Sequence, residues 1–241
     1  MKRLMKVAAL AAAVAMPLMA NAQDKVEASI GADVVSSYIW RGQDLGGAAI
    51  QPTIGLEYKG LSLEAWGSYG IQDKDDTKEF DLTLSYTTGG LTVGLIDYFC
   101  VGGPENCPAK YFLYDAHKTA HTFEANVGYD FGCLSVNWFT NIGGVDAYTE
   151  KGKRAYTSYI ELAAPFKLGG LDWEAQLGAI PYSANTGYYE DVNATDFAVT
   201  NVTLKASKDI KITDSFSVPL FGAITANPST QKLFFTAGIT F

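Results

Sequence analysis

From Val26 onward the chain alternates between apolar and polar residues with a period of two. Val26, Ala28, Ile30, Ala32 and Val34 interleave with Glu27, Ser29, Gly31 and Asp33. Phe80, Leu82, Leu84 and Tyr86 interleave in the same way with Asp81, Thr83 and Ser85. A strand turns successive side chains to opposite faces, so the pattern predicts strands with one apolar and one polar face. Twelve segments carry it: 26–41, 48–58, 61–72, 78–88, 91–100, 119–131, 133–142, 154–166, 171–182, 196–206, 216–226 and 231–241. Most are about ten residues long, the length a tilted strand needs to cross a bilayer, whereas strands of soluble proteins average about five or six.

The connections alternate too. Short Lys59-Gly60, Gly89-Gly90, Gly132 and Lys167–Gly170 take turns with longer Gly42–Gly47, Asp73–Thr77, Val101–Lys118, Gly143–Lys153 and Ser183–Thr195. Outer-membrane barrels have short periplasmic turns and longer outer loops. The expectation is an all-β, antiparallel transmembrane β-barrel of about 12 strands with both termini periplasmic. Ser207–Ser215 is long for a periplasmic turn and Asn227–Thr230 short for an outer loop. Tyr38, Trp40, Tyr69 and Tyr156 fall near the predicted outer ends, and Tyr58, Tyr86, Tyr129 and Trp173 near the periplasmic ends. Two aromatic girdles mark the two interfaces of a membrane barrel. A secreted sandwich with core aromatics is the competing fold.

The N-terminus accounts for export. Met1, Lys2, Arg3 and Lys6 form a positive start, Val7–Met19 an apolar run, and Ala20-Asn21-Ala22 a small-x-small cleavage pattern. Residues 1–22 therefore read as a signal peptide and residues 23–241 as the barrel. Losing Lys2, Arg3 and Lys6 from 18 Lys+Arg leaves 15 against 26 Asp+Glu, so the remaining chain is strongly acidic and unsuited to nucleic acid. The last segment alternates Leu233, Phe235, Ala237, Ile239 and Phe241 with Phe234, Thr236, Gly238 and Thr240, and ends on the aromatic. Phe235, Ile239 and Phe241 resemble the terminal-strand signal read by the barrel-assembly machinery. The predicted location is the bacterial outer membrane, with its lipid and that machinery as partners.

Ser36-Ser37-Tyr38-Ile39-Trp40-Arg41-Gly42, followed by Glu64-Ala65-Trp66-Gly67-Ser68, resembles the first strands of the TorF-type porin family, which read S-x-Y-x-x-R-G and later G-x-W-x-S. The likeness spans residues 28–68. Here Gln43-Asp44-Leu45 stands where the family often carries Ser-Gln after Arg-Gly. The resemblance implies an outer-membrane pore, with no established substrate and no catalytic residues.

With the apolar set facing lipid, the polar set lines the lumen. The pore candidates are Asp33, Arg41, Glu57, Glu64, Trp66, Asp81, Glu124, Glu161 and Glu174. Carboxylates outnumber cations, and a narrow channel focuses their field, so an open pore favours cations or neutral polar solutes of unidentified kind. The same groups could instead pair across the lumen and fill it. Arg41 is read as closing strand one, with Asp33, Glu57 or Glu64 as its partner or with a ligand in the pore. Trp66 is lumen filler or a sugar-stacking platform.

Cys100 and Cys107 flank six residues, and an oxidising compartment allows a disulfide between them; Cys133 is left over. His117 and His121 read as a surface-loop pair rather than metal ligands. A hydrolase would need Ser158 and His121 in contact, but another strand separates theirs, about 9–10 Å of sheet. The chain is therefore read as a channel, or alternatively a non-conducting binding barrel, with no enzyme activity, cofactor or metal.

Overall fold

The computed structural model describes residues 25–72, 78–101, 109–115, 118–149, 151–182, 197–214 and 216–241. Its elements are β1 (Glu27–Val35), a short pair β2 (Tyr38–Trp40) and β3 (Gln43–Gly46), and then β4 (Ala49–Tyr58), β5 (Leu61–Gly70), β6 (Lys78–Thr88) and β7 (Leu91–Val101). After these come β8 (His121–Asp130), β9 (Ser135–Gly144), β10 (Ser158–Leu168), β11 (Leu171–Ile180), β12 (Ala198–Lys211), β13 (Ser217–Asn227) and β14 (Lys232–Thr240). β1 and β4 to β14 form a closed antiparallel barrel of twelve strands, and β2 and β3 pair only with each other.

Four two-residue turns share one chemistry. Lys59-Gly60, Gly89-Gly90 and Gly169-Gly170 join wall strands, Arg41-Gly42 joins β2 to β3, and every one of these residues has a positive φ. Such turns match the right-handed twist of the strands they connect, and glycine adopts them without steric cost. The barrel closes where β1 meets β14, with Asp33 opposite Thr240 and Val34 opposite Ile239. Phe241 extends the seam. Its amide donates to the Ala32 carbonyl at 2.9 Å, and the Ala32 amide donates back at 3.1 Å.

The alternation assigns the faces. Ile30, Leu233 and Phe235 point outward with 75%, 71% and 68% of their surface exposed. Glu124, Asn141, Thr200 and Thr240 point inward and are almost fully buried. A water-soluble barrel would reverse this. An apolar exterior around a polar interior is the transmembrane arrangement, in which lipid covers the outside and the closed ladder leaves no backbone group unpaired.

Three expectations need correction. Strand one does not run to Arg41. β1 stops at Val35, and Tyr38–Gly46 doubles back as a hairpin because Arg41-Gly42 makes a tight turn. Tyr38 and Trp40 therefore leave the predicted outer girdle: Tyr38 packs on inward Trp66 and Trp40 on inward Tyr98. The long connection at 207–215 also shrinks, because β12 continues its ladder to Lys211 opposite Ser217. Residues 154–157 precede β10 rather than belonging to it, with Arg154 bridged to Tyr148.

Candidate functional site

The β2–β3 hairpin enters the lumen from the end where the longer connections lie. Its side chains are buried: Tyr38, Ile39, Arg41 and Gln43 each keep 8% of their surface. The surrounding wall supplies much of that burial, and its contacts report how the hairpin is held.

Arg41 is the principal attachment. Its Nη1 donates to Glu124 Oε2 at 2.7 Å and its Nη2 to Glu124 Oε1 at 2.9 Å. The planar guanidinium matches both carboxylate oxygens at once. Tyr98 donates to the same Oε1 at 2.9 Å. The rings of Trp40, Phe139 and Tyr159 surround the guanidinium carbon at 4.4, 4.3 and 4.5 Å, so its faces meet π systems and its edges the carboxylate. A register slip opposite Phe123 and Glu124 makes Ile142 the extra residue of a bulge in β9, beside the strand position of Glu124.

Further attachments hold the hairpin to other walls. Tyr38 donates to Glu79 Oε2 at 2.8 Å and packs against Trp66 with ring centroids 5.6 Å apart. Asn227, at the end of β13, donates from Nδ2 to the Gly42 carbonyl at 2.9 Å. A Cβ on Gly42 would strike the Thr200 carbonyl, so only glycine lets the hairpin tip sit this close to β12. Tyr159 donates to Glu161 of its own strand at 3.2 Å and accepts from Asn201 of β12 at 3.2 Å, which ties the aromatic cage to one more strand.

Between the hairpin and the opposite wall remains a cavity of about 50 Å³, lined among others by Asp33, Gln51, Gln176, Asn201, Lys205 and Phe221. That is room for a few waters. Toward the end with the tight turns, the inward positions include Glu57, opposite Glu27, and Glu64, opposite Thr83. Glu174 lies opposite Lys205 and accepts from Gln176 Nε2 at 2.7 Å.

The pore candidates thus divide. Arg41, Trp66 and Glu124 belong to the hairpin clamp, and Asp81 lies between Trp66 and Tyr98 in the ladder beside it. Asp33 lines the residual cavity, and Glu161 supports the cage through Tyr159. Glu57, Glu64 and Glu174 lie away from the clamp. The Arg41 fork meets Glu124, which was not among the expected partners Asp33, Glu57 and Glu64, because the hairpin carries Arg41 across to β8. Phe235 and Ile239 face outward, Phe235 opposite Ile224 and Ile239 opposite Leu220.

Tyr38, Tyr98, Phe139, Tyr159 and Asn227 were missing from the sequence-based site. The readable signal was Arg41-Gly42, an X-Gly turn between two short extended stretches, as at Lys59-Gly60.

The histidine expectation also changes. His121 opens β8 and is fully buried, not a surface-loop residue. Its Nδ1 lies 2.6 Å from Asp97 Oδ1 and its Nε2 2.6 Å from the Tyr111 carbonyl. Both residues sit on outward positions of their strands, and Tyr111 and Tyr114 cover the ring. Ser158 is engaged elsewhere, with Thr140 and Tyr182 at 2.8 Å each. His117 and Cys107 lie outside the described residues, and with Cys107 the expected disulfide; Cys100 stands opposite Glu79 and Cys133 is exposed. Among the described residues no group of three or more His, Cys, Asp or Glu side chains is placed to hold a metal ion.

Fold and site together define a transmembrane-type barrel whose polar lumen is occupied at one end by its own hairpin. No protein-family model matches the chain, and no curated protein matches it. Among solved structures it is similar to an outer membrane channel from Pseudomonas putida F1, with 11% identity and a TM-score of 0.40 over 93% of this chain and 98% of that one.

Proposed function

We propose that the protein is a bacterial outer-membrane channel for small polar solutes, constricted at its outer mouth by the β2–β3 hairpin. In this reading residues 1–22 direct export and are removed. The terminal strand with Phe235, Ile239 and Phe241 is recognised by the barrel-assembly machinery. The longer connections face the cell exterior. The resemblance of the Ser36–Gly42 segment to TorF-type porins supports the same assignment.

The observation that carries the reading is the way the lumen is filled. A barrel filled for stability alone would pack wall side chains against one another. Here an added segment does the filling at one end, through directional contacts to Glu124, Glu79 and Asn227. The remaining lumen is lined by polar groups with carboxylates in excess, which favours cations and neutral hydroxylated solutes over anions.

A liposome-swelling assay tests this. Liposomes carrying a variant with residues 37–47 replaced by a short turn should swell in small neutral sugars faster than liposomes carrying the wild type. The second reading, a non-conducting binding barrel, is favoured by the depth at which Arg41 is buried. It gains if the shortened, folded variant admits no solute.

A further inference from the structure

Near the loop end, the outer surface of the wall carries a groove of about 550 Å³, within the roughly 300–1,000 Å³ range of small-molecule sites. It exists because Gly67, on the lipid-facing side, leaves out a side chain between Tyr69 of its own strand and Phe80 opposite. Tyr69, Phe80 and Phe99 supply its apolar walls, and Tyr111 overhangs it. Tyr111 packs edge-on against Phe80 and Phe99 at 5.6 and 5.2 Å. Its carbonyl is fixed by His121, which Asp97 orients in turn. A buried, polar fastening thus holds the overhang in place on a face that otherwise needs only to meet lipid.

Charge marks one end of the groove. Lys78, the first residue of β6, lines the rim, with its ammonium 5.4 Å from the Tyr69 ring centre. Exposed Lys110 directly precedes Tyr111. Neither lysine has an ion pair among the described residues. In a chain with net charge −8, a lysine on the loop-end rim of an apolar groove, with a second beside the overhanging Tyr111 in sequence, matches a molecule with an apolar tail and an anionic head.

We propose that this groove binds one acyl chain of a phosphorylated glycolipid of the outer leaflet, with a phosphate held at Lys78 and Lys110. The proposal rests on the outer-membrane reading. The chain would lie along Gly67 between Tyr69 and Phe80, under Tyr111, while the phosphate stays at the interface where lysine stems reach the headgroups.

The test uses wild type and the variants Gly67→Leu, Lys78→Gln and Gly222→Leu, each reconstituted into phosphatidylcholine nanodiscs. Gly222 also faces outward, on β13, and its Cβ position is open, so Gly222→Leu serves as a control on another part of the wall. Retention of added bisphosphorylated lipid A is compared with retention of its dephosphorylated form. Gly67→Leu should reduce retention of both forms several-fold by filling the groove. Lys78→Gln should reduce only the phosphorylated form, and Gly222→Leu neither. Equal retention by all four proteins, equal loss in the control, or self-association of the chain through this face in place of lipid binding would overturn the proposal. Failure of the wild type to enter the nanodiscs would instead overturn the outer-membrane reading beneath it.

Discussion

The Arg41 guanidinium and the Glu124 carboxylate form a two-bond pair, 2.7 and 2.9 Å, between residues 83 positions apart in sequence. Both side chains are nearly inaccessible, at 7% and 2% exposure. Removing one partner of such a pair leaves an uncompensated buried charge and costs about 3–5 kcal/mol. Arg41→Ala should therefore lower the barrel's unfolding free energy, measured in urea, by an amount of that order. Arg41→Lys should restore little of it, because an ammonium cannot reproduce the fork or stack within the ring cage. Equal stability of wild type and Arg41→Ala would contradict the clamp.

Gly42→Ala tests the seat of the hairpin from the backbone side. Alanine there meets the Thr200 carbonyl and is strained at a φ of 80°. A cost of about 1–3 kcal/mol is expected, in the range for a residue forced into a sparsely populated conformation. Limited proteolysis provides the readout. Cleavage within residues 37–47 should appear in Gly42→Ala and be absent in wild type, while the wall strands stay protected.

The His121–Asp97 pair predicts a separate effect. The ring bridges Asp97 on one side and the Tyr111 carbonyl on the other. Asp97→Asn or His121→Phe should free the segment around Tyr111 from the wall. Amide hydrogen exchange at residues 109–115 should rise while exchange in β7 and β8 stays slow. If the segment remains protected in both variants, the aromatic contacts alone hold it.

Selectivity follows from the lumen carboxylates. In the variant lacking the hairpin, replacing Glu57, Glu64 and Glu174 with Gln should shift the reversal potential in a salt gradient toward zero. These groups lie away from the clamp, so the same triple change made in the full chain should leave hairpin protection unaltered. An unchanged reversal potential would mean that they are paired out of the permeant path.

Much of the fold was legible because a membrane barrel writes one rule on every strand. The outward series Val26 to Val34 and Leu233 to Phe241 could be read directly, and the Lys59-Gly60, Gly89-Gly90 and Lys167–Gly170 turns separated the strands. The hairpin was not legible by that rule. Tyr38, Ile39 and Trp40 continue an extended, aromatic-rich pattern, and nothing in it states that the chain has left the wall. Only the positive-φ chemistry of Arg41-Gly42 marks the reversal. The pairing with Glu124 was beyond reach for another reason: a residue inside a barrel can meet any wall, and alternation specifies the face but not the partner. His121 was misplaced because it opens a strand and is covered by Tyr111 and Tyr114 of the connection before it, which alternation along the strand does not report.

The central claim is that the β2–β3 hairpin obstructs a lumen that conducts without it. Single-channel recording in planar bilayers, comparing wild type with the variant in which residues 37–47 are replaced by a short turn, tests it most directly. The account predicts low, intermittent conductance for wild type and a steady, cation-preferring conductance several-fold larger for the shortened barrel. Silence from the shortened barrel, once its insertion and resistance to urea are verified, would contradict it.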